Sequence, residues 1–193
     1  KLPRHLATQM GKAAKSYLQE HLVNKNVLSS IPDFTIDMEV VTEDNAVGSG
    51  LGILLVATTS TGCKLGGSTL CAPKQKAHQA GIVAAQELVR AIQAGGCVDE
   101  WLQDQLILFM TLAQGTSTVL TGCLTLHTQT AMDVARQLVP GVVFDVKKLE
   151  DVKTGGDATT NAHGDGNYGQ DGLIPGKHLI TCHGIGYTGV NNQ

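Results

Sequence analysis

Gly95-Gly96 falls almost at the middle of the chain and limits how the chain can fold. Consecutive glycines stop a helix, because glycine accepts the left-handed backbone of a C-cap and propagates helix poorly. The apolar pattern restarts after the pair. It therefore predicts a boundary between one unit over 1–95 and a second over 96–193. A length of 193 residues is enough for one large core or two small ones.

Before the boundary the periodicity alternates between helix and strand. Leu6, Met10, Ala13, Ala14, Tyr17 and Leu18 recur at helical spacing and predict an amphipathic helix over 4–23. Phe34, Ile36, Met38 and Val40 alternate with polar residues and predict a half-buried strand. Leu51–Thr59 predicts a more deeply buried partner strand, and Lys64–Leu70 a third. Ile82, Ala85, Leu88, Val89 and Ile92 mark a helix that runs into Gly95. This order suits a small α/β unit with one sheet face covered.

After the boundary, Asp99 is a candidate N-cap for a helix whose buried stripe would be Leu102, Leu106, Phe109, Met110 and Ala113, ending at Gly115. A strand over 118–124, a helix over 126–138 ended by Pro140, and strands over 142–146 and 178–185 follow. The fold class expected is mixed α/β (α+β). Residues 148–177 break the pattern: seven glycines lie among Asp, Thr and Asn, which predicts a flexible loop unable to pack a core.

Composition excludes several function classes. The net charge of −3 gives no broad positive field for nucleic acid, and no DNA-reading motif is present. The five cysteines (63, 71, 97, 123 and 182) are odd in number and lack CxxC spacing. They predict neither a disulfide framework nor a zinc site, and they point to a reducing compartment, nucleus or cytoplasm. The apolar run 51–57 is far short of the roughly 20 residues that a membrane span requires. No secretory signal opens the chain, and the start at Lys1 suggests a fragment.

Two short segments could carry chemistry. Trp101, Asp104 and Gln105 stand at i, i+3 and i+4 and so share a helix face beside the apolar stripe. An indole can stack on a base, and a carboxylate can hold a magnesium ion bridging phosphates. Spacing alone favours a plain helix edge with a half-buried tryptophan and solvated polar residues. His127 follows Thr125, a candidate N-cap, at the start of a helix. A helix N-terminus attracts phosphate and disfavours imidazolium, which leaves a neutral, nucleophilic ring. Such a ring can attack phosphorus in a covalent route. A histidine that merely packs or caps is the plainer alternative.

The spelling of these segments adds a resemblance. Residues 95–107, Gly-Gly-Cys-Val-Asp-Glu-Trp-Leu-Gln-Asp-Gln-Leu-Ile, and 122–131, Gly-Cys-Leu-Thr-Leu-His-Thr-Gln-Thr-Ala, resemble the C-terminal part of RNA 3′-terminal phosphate cyclases. Looser similarity runs from Leu2-Pro3-Arg4-His5 to Gly62-Cys63-Lys64-Leu65-Gly66. The resemblance implies that 1–95 is a small inserted α/β domain, and that 96–193 is the C-terminal βαβαββ-type portion of a larger repeated-unit catalytic domain. It implies a ligase that uses ATP and Mg2+ or Mn2+ to convert an RNA 3′-phosphate end into a 2′,3′-cyclic phosphate through a histidine–AMP intermediate. His127 matches the nucleophile, Asp104 the metal- or nucleotide-contacting acid, Trp101 the aromatic packed on adenine, and Gln105 a neighbour in that pocket. After Leu70 the family usually has Gly-Glu and a further acid, where this chain reads Cys71-Ala72-Pro73-Lys74. The family's N-terminal half, with its arginines and glutamate for ATP and RNA, has no counterpart in the chain, so the chain alone is expected to be inactive.

Two other functions fit the same resemblance. Non-catalytic relatives act in ribosome assembly and lack this histidine, so His127 favours the enzyme. Enolpyruvyl transferases share the repeated architecture, but no Lys- and Arg-rich anion pocket supports that chemistry here.

Overall fold

The computed structural model of the chain describes residues 2–24, 35–149 and 173–189. It divides into two compact units, Lys1–Gln93 and Ala94–Gln193. The fold is mixed α/β, with four α-helices and two antiparallel sheets among the described residues.

The first unit contains α1 (Arg4–Leu18), a π-helical turn (Gln19–Asn24), β1 (Gly52–Thr58), β2 (Lys64–Leu70) and α2 (Ala77–Ala94). The helix expected over 4–23 thus changes its winding at Gln19, and in the π turn the His21 ring stacks on Tyr17 at 3.8 Å. β1 and β2 form an antiparallel hairpin that pairs Gly52 with Leu70 and Thr58 with Lys64. Ala14, Leu18, Leu22, Leu65, Ala85, Leu88 and Val89 make the core between helices and hairpin. Each fully buried leucine there contributes about 1.5–3 kcal/mol relative to exposure.

Two expectations for this unit need correction. No strand forms over the described part of 34–40; Phe34 itself lies outside the described residues. Instead, residues 35–40 are tied to α1 by side chains: Lys15 Nζ donates to the Ile36 carbonyl at 2.8 Å and Arg4 to the Val40 carbonyl at 3.3 Å. An alternating apolar pattern predicts one covered face, but here Ile36 and Val40 are partly covered while Met38 is 44% exposed. Nor is β1 deeply buried. Ile53, Leu55 and Ala57 turn partly inward, while Leu54 and Val56 are exposed on the other face of a sheet with two strands among the described residues.

The second unit contains α3 (Leu102–Leu112), β3 (Gln114–Thr121), α4 (Leu126–Leu138), β4 (Val143–Leu149) and β5 (Lys177–Ile185). The sheet order is β3-β5-β4, with β5 antiparallel to both neighbours. β3 and β4 therefore run in the same direction, α4 crosses between them, and β5 fills the gap. This αβαββ order corresponds to a βαβαββ unit from its first helix onward. Ile107, Met110, Val119, Leu124, Met132, Phe144, Ile180 and Cys182 belong to its core. Burial pushes the Cys182 thiol above its ordinary value of 9.0, so it stays protonated.

Gly95 and Gly96 have separate tasks. Gly95 takes φ +67° just past the end of α2. A Cβ on Gly96 would lie 2.7 Å from the Gly122 nitrogen, so only glycine permits this approach of two backbones. The N-cap position of α3 falls at Trp101 and not at Asp99, but the Asp99 Oδ1 still accepts the amides of Trp101 and Leu102, at 3.2 and 2.9 Å.

Three readings of the second unit shift. The buried side of α3 is Gln103, Ile107, Met110 and Thr111, whereas Leu102 and Phe109 are exposed. The helix is apolar nearly all round, so hydrophobicity alone could not orient it, and two satisfied polar residues took core positions. Gly115 does not end α3; it sits in β3 opposite Gly184 with φ +86°. The expectation of a loop over 148–177 fails at both ends. Lys148 and Leu149 belong to β4, Ile174 exchanges two 2.9 Å backbone bonds with Leu124, and Lys177 opens β5. Residues 150–172 lie outside the described residues.

Candidate active site

The turn between β3 and α4 holds its shape through local hydrogen bonds. Thr125 has extended geometry (φ −77°, ψ 154°), and its Oγ1 accepts the Thr128 amide at 3.1 Å. This is the N-cap arrangement, worth about 1 kcal/mol. One residue earlier, Leu124 is held by its bridge to Ile174. His127 therefore projects from the first turn of a fixed helix, and its side chain is 81% exposed.

α3 supplies the facing group. Asp104 lies in the first turn of α3, where a carboxylate is favoured by the helix dipole. Its Oδ2 is 3.8 Å from His127 Nδ1. That distance exceeds a hydrogen bond, but a small side-chain rotation would close it. Asp104 Oδ1 is buried without a hydrogen-bond partner. Such an oxygen stays costly until it meets a donor or a cation. With Nδ1 turned toward the carboxylate, Nε2 is the ring nitrogen left for chemistry.

Below this pair runs a groove of about 590 Å³ between α3 and α4. Asp104 and His127 are at its polar end, and Ile107, Leu108, Leu126 and Val134 line much of the remainder. Trp101 and Gln105 are not among its lining residues. Trp101 is 61% exposed rather than half-buried, and the Gln105 amide donates back to the Trp101 carbonyl at 2.8 Å. The structure thus brings together Asp104 and His127, and leaves Trp101 and Gln105 on the outer part of the same α3 turn.

Sequence reasoning missed Gln103. It is 2% exposed. Its Nε2 donates to the Cys123 carbonyl at 3.3 Å, while its Oε1 accepts the Thr125 amide at 3.3 Å and the Thr128 hydroxyl at 3.0 Å. The available signal was its position four residues before Ile107, on the stripe that turns inward. Elsewhere, His178 is buried against the Gly122 carbonyl at 3.2 Å and His183 meets Thr116 at 2.9 Å across the sheet. Among the described residues no group of three His, Cys, Asp or Glu side chains could cage a metal ion. No described helix is long and apolar enough to cross a membrane.

Residues 1–93 match the family description "RNA 3′-terminal phosphate cyclase (RTC), insert domain". A Dictyostelium discoideum protein named "Probable RNA 3′-terminal phosphate cyclase" is 31% identical over 94% of the chain and 36% of its own length. This chain belongs to the RNA 3′-terminal phosphate cyclase family. The cyclase of Drosophila melanogaster is 44% identical over 52% of the chain and 28% of its own length. That of Staphylothermus marinus is 34% identical over 72% of the chain and 38% of its own length. The chain therefore spans about a third of the curated relatives it matches.

Proposed function

We propose that this chain carries the nucleophile of an ATP-dependent RNA 3′-phosphate cyclase. The observation that supports the reading most directly is the exposed His127 ring in the first turn of α4, with Nδ1 3.8 Å from Asp104 Oδ2. A carboxylate on that side holds the tautomer whose lone pair is on Nε2. Nε2 attacks the α-phosphorus of ATP; a P–N bond forms, the bond to the bridging oxygen breaks, and pyrophosphate leaves. An oxygen of the RNA 3′-phosphate then takes the AMP group and frees the ring. The neighbouring 2′-hydroxyl closes on the activated phosphorus, losing its proton, and AMP departs.

The residues also fit a divalent ion. Asp104 offers a single carboxylate with an unpartnered oxygen, and Mg2+ or Mn2+ bound to triphosphate needs only one or two protein carboxylates. Asp104 would hold it, and its charge would ease negative charge building on the phosphates. Amides at the N-terminus of α4 favour phosphate at the same place. Trp101, exposed one turn upstream of Gln105, offers an indole face for adenine, and Gln105 an amide beside it. Under this reading, the second unit is the C-terminal part of the catalytic domain and the first is its insert.

The test uses the full-length protein, α-labelled ATP and Mg2+ or Mn2+. An acid-labile AMP adduct should form and His127→Ala should abolish it, with little effect on folding because the ring is exposed. An adduct of equal yield in the variant would overturn the assignment.

A further inference from the structure

Gln103 and Asp104 are adjacent on α3 but face different ways. Asp104 reaches the groove, and Gln103 points into the protein beneath the β3–α4 turn. The Gln103 amide grips that turn at three points, the Cys123 carbonyl, the Thr125 amide and the Thr128 hydroxyl. Thr128 is fully buried and lies next to His127, and Thr128 Oγ1 is also 2.9 Å from Thr125 Oγ1. A glutamine side chain offers two donor hydrogens and two acceptor sites, and three of these four are used here. All three bonds cross from one helix start to the other.

We infer that Gln103 is a positioning residue, which sets the place of His127 relative to Asp104 by locking the start of α4 onto the start of α3. The inference rests on the reading of His127 as nucleophile. Gln103 touches no reacting atom; it acts through Thr125 and Thr128. Placement of an attacking atom is worth a great deal, because an error of about 1 Å can cost roughly 100-fold in rate. An apolar residue of the same length would fill the space without holding the turn.

Gln103→Met and Thr128→Val each remove the bond between them. In the full-length protein, each should slow formation of the His127–AMP adduct at saturating ATP by at least about tenfold, while the ATP concentration giving half-maximal rate moves less than about twofold. The double variant should be little slower than the slower single, since both break one network. Normal adduct rates in the folded single variants would overturn the inference, as would fully multiplicative losses in the double. If Gln103→Met does not fold, Thr128→Val decides alone. An adduct that survives His127→Ala would remove the nucleophile assignment instead. Hydrogen exchange then judges the tie without reference to catalysis. The Thr125 amide should exchange at least about tenfold faster in Gln103→Met while amides of β5 keep their rates, and unchanged exchange at Thr125 would refute the tie.

Discussion

Lys15 and Gln103 perform similar tasks in the two units, in opposite surroundings. Lys15, half-buried on α1, holds the Ile36 carbonyl with a flexible ammonium at 2.8 Å. Gln103, sealed inside the second unit, holds a turn through both ends of a planar amide. If the lysine bond is lost, water can replace it at modest cost. If the glutamine bonds are lost, buried polar groups remain without partners, so the turn is strongly held where it is. His127 lies directly beside the second kind of tie, next to Thr128. The first unit, whose helix-to-segment bonds are partly wet, has no comparable site among its described residues.

The largest test of this contrast is in the cores. Ile180→Ala, at a position with no exposed surface on the central strand, should cost about 4 kcal/mol in denaturant unfolding. Leu88→Ala in the first unit, where Leu88 is 3% exposed rather than fully sealed, should cost about 3 kcal/mol. Equal or reversed losses would remove the idea that the second unit is the more tightly held. Next comes Thr125→Ala, which should cost about 1 kcal/mol and loosen the start of α4, as read from amide exchange at Thr128. Smallest is Lys15→Met, expected to cost about 0.5 kcal/mol in the same unfolding measurement. A loss as large as that of a core residue would show that the exposed tie is not the weak partner in the comparison.

Much of this was legible in the sequence where local chemistry decides structure. α4 runs from Leu126 to Leu138 as its periodicity indicates, because Thr125 can cap it and Pro140 lies beyond it. β2 covers Lys64–Leu70 as expected. The reading weakened where tertiary neighbours decide. The alternation over Ile36, Met38 and Val40 came from a segment lying along a helix, and pattern alone does not name the neighbour. On α3, apolar residues surround the helix, so the inward side was set by Gln103 and Thr111 finding partners, Thr111 through its own bond to the Ile107 carbonyl at 2.7 Å. The proximity of Asp104 and His127 followed from residue spelling, while the buried amide that holds their helices together did not.

The sheet order carries a further consequence for how the second unit is made. β5 joins β3 to β4, yet it is synthesised after both. On the ribosome, β3 and β4 emerge before the strand that will pair with each of them, and they have open edges until it arrives. The sheet of the second unit is therefore completed only once β5 has emerged. A chain that ends after Leu149 but before Lys177 has β3 and β4 without the strand that pairs with both, whereas the β1–β2 hairpin is already complete.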